Sequence, residues 1–289
     1  MDLTLAQAAG SVLLVVSLML ATGLRLQVSD LLALRRRPGP LGWALVMNLV
    51  VLPALAWGMV VGLDLPPLVG LGVLLGAAAP GGPAAILYVT MAGVDLPLTV
   101  GLTLLLPAIA VISTPLTLSL VAELSAPIPV LPILTTLVGM QMVPLAAGML
   151  VRRYRPALAA RAAGPATTVA NLTLAGLVVF LMVTKGHVLL SSSVVTWLAI
   201  AALAGLGLVL GYGPPGVDRS SARAGALVGA SRNSSVAIML ASTFFLDPVV
   251  DATVLLYGLM NLLAPMAVAA VWRRRPSAPP SPPDHDGPG

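Results

Sequence analysis

Arg232 lies in the middle of the apolar stretch ALVGASRNSSVAIMLASTFF (226–245), followed at once by Asn233, Ser234 and Ser235. A guanidinium carries a permanent charge and a planar fork of donors that grips a carboxylate or sulfonate through two parallel bonds. About twelve residues separate Arg232 from either end of its apolar segment. At 1.5 Å per residue that is roughly 18 Å of helix each way, too far for the side chain to reach a membrane surface. An arginine at such a depth costs at least about 2.5–3.5 kcal/mol on insertion scales. The ten acidic residues are Asp2, Asp30, Asp64, Asp95, Glu123, Asp218, Asp247, Asp251, Asp284 and Asp286, all in links, segment ends or the tail. The charge must therefore be balanced by carbonyls, water or a bound anion. Two roles are open. The arginine either rivets the carbonyl ends of interrupted helices or presents a fixed positive charge to an anionic ligand. An ionisable residue at bilayer depth favours the second.

Few other polar residues fall within apolar segments: Asn48, Thr99, Thr103, Gln141, Asn171, Asn233, Ser234 and Asn261. Thr99 and Thr103 are four apart and share one helix face. Taken singly, such residues serve helix–helix hydrogen bonds. Taken with Arg232 they line a polar chamber. Enzyme chemistry finds no footing. Paired carboxylates within spans are absent, no histidine accompanies a buried serine, and neither a phosphate loop nor a metal-ligand cluster occurs. His187 falls in a link and His285 in the tail.

These residues need elements to hold them. Of the 289 residues 58% are hydrophobic and only 9% charged, against about a quarter charged in a soluble domain. The solvent for this much apolar surface is lipid. Zero cysteines exclude a disulfide framework and a thiolate metal site. Nine segments have the length of a spanning helix: 7–26, 41–61, 67–92, 97–121, 127–150, 166–184, 189–211, 221–244 and 249–272. The first is read as a span and not a signal peptide, lacking a basic flank before it. Residues 276–289, PSAPPSPPDHDGPG, form a proline-rich tail with too little apolar content to fold. The basic residues sort to alternate links: Arg25 and Arg35–Arg37, then Arg152, Arg153, Arg155 and Arg161, then Arg219 and Arg223, then Arg273–Arg275. The positive-inside rule places these links in the cytoplasm, with the N-terminus outside the cell's inner membrane and the C-terminus inside. The net charge of +5 is thus a topology signal and gives no reason to expect nucleic acid.

Two of the nine segments carry breaks. The third contains Ala79–Pro80–Gly81–Gly82–Pro83, where proline removes a helix bond and glycine unwinds freely. The eighth contains Ser231–Arg232–Asn233–Ser234–Ser235, whose short polar side chains compete for backbone hydrogen bonds. Irregular backbone at bilayer depth survives only inside protein or beside a watery cavity. The third and eighth segments are five places apart in order, an odd offset, so they run in opposite directions. That is the mark of an inverted-repeat transporter whose ligand binds where the breaks meet.

MLATGLRLQVSDLLALRRRPGPL (19–41), MNLVVLPALAW (47–57), GLGVLLGAAAPGGPAAILYVTMAGVDLPLTVGLTLLLPAIAVISTPL (70–116), GASRNSSVAIMLASTFF and YGLMNLLAPMA (257–267) together resemble the bile acid:sodium symporter family. The resemblance implies an all-helical membrane fold over residues 1–275. A panel would comprise about 7–26 and 127–184, and a core about 41–121 and 189–272, with two discontinuous helices crossing in the core. It implies substrate contacts at Arg232, Asn233, Ser234, Asn261 and Pro83. The crossover itself would be formed by Pro80, Gly81, Gly82 and Ser231. Remnants of sodium sites are implied at Asn48, Thr99 and Thr103.

The chain departs from that pattern where sodium is held. Ala85 and Ile86 stand where the family has serine and asparagine, and Val228 and Arg232 where it has glutamate and glutamine. Asn48 replaces a glutamine and Pro83 a threonine. The expected protein is thus a transporter, with no enzyme activity and no resident cofactor. Its partners are the bilayer and a small organic anion moved by alternating access, without tight sodium coupling. A sodium symporter whose carbonyls replace the lost ligands, and a membrane sensor that moves nothing, are the alternatives.

Overall fold

The computed structural model describes residues 3–35, 37–121, 128–214 and 216–274. The expected tail and Glu123 lie outside the described residues. Twelve helices follow one another among these, with no strand: α1 (Leu3–Gly23), the short α2 (Val28–Leu34), α3 (Pro38–Gly62), α4 (Pro67–Ala77), α5 (Ala84–Ala92), α6 (Leu96–Val121), α7 (Val130–Tyr154), α8 (Pro156–Leu190), α9 (Val194–Gly211), α10 (Arg219–Ala230), α11 (Ser234–Leu240, continued by a π-turn over Ala241–Phe245) and α12 (Pro248–Arg273). The helices α1, α3, α6, α7, α8, α9 and α12 are long and apolar enough to cross a membrane. The third and eighth expected spans are each two short helices, α4 with α5 and α10 with α11. Their breaks fall at 78–83 and 231–233.

The local rules are visible in the helix ends. Pro38, Pro67, Pro156 and Pro248 open their helices, where a missing N–H is no loss. Asp218 and Asp247 cap α10 and α12 through their carboxylates. Two π-turns interrupt long helices, Met47–Val51 in α3 and Val138–Met142 in α7. Each lies just upstream of a proline, Pro53 and Pro144, which breaks the i→i−4 ladder there. Some boundaries differ from those expected. The helix α8 begins at Pro156 and runs to Leu190, so residues 189–190 close the sixth span instead of opening the seventh, and His187 lies in the last turn of α8. Asp251, expected at a link, sits inside the first turn of α12 and is buried. Composition alone does not mark such ends, because the apolar run continues through them.

Small residues set the packing. Gly207 and Gly211 of α9 face Gly225 and Gly229 of α10. A Cβ on Gly229 would lie 2.5 Å from the Gly207 carbonyl oxygen, and one on Gly225 2.4 Å from that of Gly211. The backbones of α9 and α10 therefore touch directly, as small-xxx-small crossings in lipid do. The same device joins α1 to α7 at Gly23 and Gly148, and seats α4 on α12, with Gly72 against Thr253 and Gly76 against the Tyr257 ring. The helices α1, α7 and α8 pack together, while α4, α5, α10 and α11 gather round α12. The outer faces carry exposed apolar side chains such as Leu172, Val179 and Val183 of α8 and Leu198 and Val209 of α9, the surface a bilayer accepts.

The polar residues at helix ends separate into two groups. At one end, Arg37 donates to Asp95, and the Ser221 hydroxyl donates to Asp95 Oδ2 at 2.6 Å while its N–H donates to Asp218 at 2.9 Å. The bonds from Ser221 hold the exposed Asp218 carboxyl below its ordinary value. Arg223 stacks on Trp272 at 5.1 Å in the same region. At the opposite end, Lys185 Nζ stands 3.8 Å from Asp251. The basic links thus gather at one end of the bundle, as their alternation along the chain requires.

Replacing Gly229 by valine is expected to force α9 and α10 apart and to destabilise the protein by about 1–3 kcal/mol. Valine at Gly58, whose Cβ position is open, is expected to be neutral. Thermal unfolding in detergent, followed by size-exclusion chromatography, separates the two.

The crossing of the two broken helices

A helix that stops inside a membrane leaves its last carbonyls without donors, and three carbonyls at the C-terminus of α4 show how such groups are answered. Ala77 O accepts from Arg232 Nη2. Ala78 O accepts from the Thr114 hydroxyl of α6 at 2.6 Å. Ala79 O accepts from the Asn233 N–H at 2.8 Å, and in return the Gly82 N–H donates to Ser231 O at 3.1 Å. The two breaks therefore lie against each other, paired through their backbones. Gly82 makes that approach possible, because a Cβ there would stand 2.4 Å from Arg232 O. Gly81 turns the chain with φ at +79°, and a Cβ on it would strike Leu106 and Pro107.

The guanidinium of Arg232 is buried, with the residue 5% exposed. Its Nη1 donates to Asn48 Oδ1 at 2.9 Å and its Nη2 to Asn48 O at 3.1 Å, besides Ala77 O. The Asn48 carbonyl is available for a specific reason. In the π-turn of α3 the Leu52 N–H reaches back to Met47 O. The next position, Pro53, has no N–H to give. The Asn48 side chain is oriented by its own Nδ2, which donates to Ala44 O at 2.8 Å and leaves Oδ1 facing the arginine. The cation is thus held by three neutral oxygens. Ala77 also places it at the negative end of the α4 dipole. A hydrogen bond to a charged group is worth about 1.5–3 kcal/mol. One or two of these bonds offset the insertion cost of about 2.5–3.5 kcal/mol. The ion pairs Arg37–Asp95 and Lys185–Asp251 lie elsewhere.

Arg232 Nε, Asn233 Nδ2 and Asn261 Nδ2 are buried without a partner, and all three are donors. Asn233 Oδ1 already accepts from the Ser235 hydroxyl at 2.6 Å. Asn261 lies one turn beyond Gly258 in α12, and a Cβ on Gly258 would sit 3.3 Å from Ser234, so this face of α12 borders the start of α11. Ser234 itself is half-buried, and Pro83 stands half-buried at the start of α5.

Thr99 and Thr103 are fully buried in α6, but their hydroxyls donate back to Asp95 O, just before the helix, and to Thr99 O within it, at 3.1 and 2.8 Å. They share a face, as expected, and bond neither to Arg232 nor to each other's side chains. Gln141 Nε2 reaches from α7 to Pro107 O of α6 at 2.8 Å. Thr114 escaped the sequence reading, although a polar residue beside Pro115 in an apolar helix was a usable signal. Ala77 carried no signal, because its contribution is a backbone carbonyl.

The family model of the Sodium Bile acid symporter family matches residues 12–193. No curated protein matches the chain.

Asn48→Ala removes Oδ1 from Arg232 and is expected to cost about 1.5–3 kcal/mol of stability. Arg232→Lys keeps the charge but not the planar fork, so it is expected to lose a comparable amount. Thr90→Ala, at an exposed hydroxyl bonded only within its own helix, serves as the silent control. Thermal unfolding of the purified variants in detergent measures all three.

Proposed function

Since this chain belongs to the sodium bile acid symporter family, whose members are membrane transporters, we propose that it carries small organic anions, with Arg232 supplying a tethered positive charge where the two broken helices cross. The observation behind this reading is the chemistry of the crossing. One cation is held there by neutral oxygens, and its own Nε and the Nδ2 of the adjoining Asn233 are buried donors without a partner. A carboxylate or sulfonate offers acceptors and a negative charge, which is what such a set lacks.

The same geometry bears on coupling. A sodium ion needs several oxygen ligands. Asn48 Oδ1, Asn48 O and Ala77 O are ligands of that type, and the guanidinium occupies them. Two unit charges about 4 Å apart repel by roughly 4 kcal/mol at an effective dielectric of 20, close to a thousandfold in affinity. Arginine stays charged at every physiological pH, so it never vacates the position. On this reading the arginine replaces the ion and the carrier is a uniporter or an exchanger. In that picture α4 with α5 and α10 with α11 each complete a crossing, making nine. The helices α1, α7 and α8 form a panel against which the rest rocks, the basic end faces the cytoplasm, and the chain sits in the inner membrane.

A second reading has its own support. Both terminal nitrogens of Arg232 are already bonded to protein, as a purely structural rivet would be. Purified protein reconstituted in vesicles separates the two. For a carrier, anion uptake proceeds equally in sodium and potassium, and Arg232→Gln weakens anion affinity by about ten- to a hundredfold. For a rivet, Arg232→Gln lowers folding yield and leaves the affinity of the surviving protein unchanged. Uptake strongly stimulated by a sodium gradient overturns the uncoupled mechanism.

A further inference from the structure

We propose that the Lys185–Asp251 ion pair, with Gln7 beside it and the Ser11–Ser242 hydroxyl pair next along the bundle, is a gate shut across the end of the bundle opposite the basic links, and that this structure is the state closed at that end. The inference rests on the carrier reading above, and adds which residues block one of its two exits.

The placement of side-chain contacts carries it. Lys185 belongs to α8 and Asp251 to α12, so their pair joins the group of α1, α7 and α8 to the group around the crossing. The Asp251 carboxylate is almost wholly covered, at 4% side-chain exposure, and Lys185 at 19%. The Gln7 side chain of α1 faces the same carboxylate, with Asp247 as the further charge nearby. One turn along α1, Ser11 Oγ lies 2.8 Å from Ser242 Oγ, which sits in the π-turn closing α11. Both serines are nearly inaccessible. Three polar fasteners thus cross between the two groups within one turn of each other. At the basic end two sets of side-chain bonds run within a group. Arg25 ties the exit of α1 to Thr167 of α8. Arg37, Asp95 and Ser221 tie α3, α6 and α10 together. The bond from Gln141 to Pro107 O crosses between the groups near mid-depth, where a rocking motion moves its contacts least.

A Lys–Asp pair at 3.8 Å suits a gate better than a permanent brace. It is longer than a charge-assisted hydrogen bond of about 2.7–2.9 Å, and opening returns both charges to water, which lowers the cost of parting them.

The chain contains no cysteine, so a single Ala241→Cys substitution, beside Ser242 and 1% exposed, leaves the proposed fasteners in place and reports on the gate without background. Membrane-impermeant maleimide is applied to reconstituted protein from the side of the Lys185–Asp251 pair, and the labelling rate of Cys-substituted protein is compared in the gate variants. Lys185→Ala and Asp251→Asn are each expected to raise that rate by about tenfold. The charge swap Lys185→Asp with Asp251→Lys is expected to bring it back towards the parent rate, which a variant that merely misfolds does not do. A labelling rate unchanged by Lys185→Ala and Asp251→Asn overturns the gate, as does a swap that labels as fast as the single variants. Anion flux is measured on the same vesicles. Flux with unchanged labelling refutes the gate and leaves the carrier reading standing. Faster labelling with no flux for any anion refutes the carrier reading, and with it a gate to transport.

Discussion

A cation without a carboxylate, placed where lipid surrounds the bundle, must find oxygen from the backbone, and regular helices have none to spare. The architecture around Arg232 follows from that constraint. A helix interior uses every carbonyl; a helix that ends, or swells into a π-turn before a proline, releases some. Ala77 is released because α4 stops, and Asn48 because Leu52 bonds Met47 and Pro53 has no donor. The arginine is therefore stable only where two different helical defects face it together. The defects in turn tolerate the membrane because the arginine and its neighbours satisfy the carbonyls they expose.

The pairing of the two breaks shows how close packing serves this chemistry. Asn233 and Gly82 exchange backbone bonds with Ala79 and Ser231, and that exchange needs an approach only glycine at position 82 allows. The glycine seams of α9 with α10, and of α4 with α12, bring the half-helices to the same depth from outside. Van der Waals contact between backbones takes the place that hydrophobic burial holds in water, since lipid tails are as apolar as the side chains. Site and scaffold are thus one construction. The residues that position Arg232 also close the gap its segment opens.

Part of the site was legible beforehand and part was not. The interruptions within 79–83 and 231–235 could be read because proline, glycine and short polar side chains act on their own neighbours, although Ser234 and Ser235 already belong to α11. The absence of a carboxylate beside Arg232 could be read because acidic residues are few and easily placed. Asn48 was noticed, though as a remnant ion ligand and not as the partner of the arginine. The spacing of Thr99 and Thr103 foretold that they share a face, and the family resemblance alone suggested an ion-ligand role; in the structure each hydroxyl donates to a carbonyl one turn back along the chain. Spacing establishes a shared face but does not say which acceptor a hydroxyl chooses.

By itself the sequence determined an all-helical membrane protein, the two broken segments, the sorting of arginines to one end, and a charge buried between the breaks. These are properties of local composition and of order along the chain, and they hold whatever the helices pack against. The tertiary structure alone decided which oxygens hold the guanidinium, that Thr114 caps Ala78, that Ser11 meets Ser242, and that Asp251 turns inward to Lys185. Those contacts join residues far apart in the chain, several through backbone atoms common to every amino acid. No residue type announces them; only the packing of one helix on another brings donor and acceptor together.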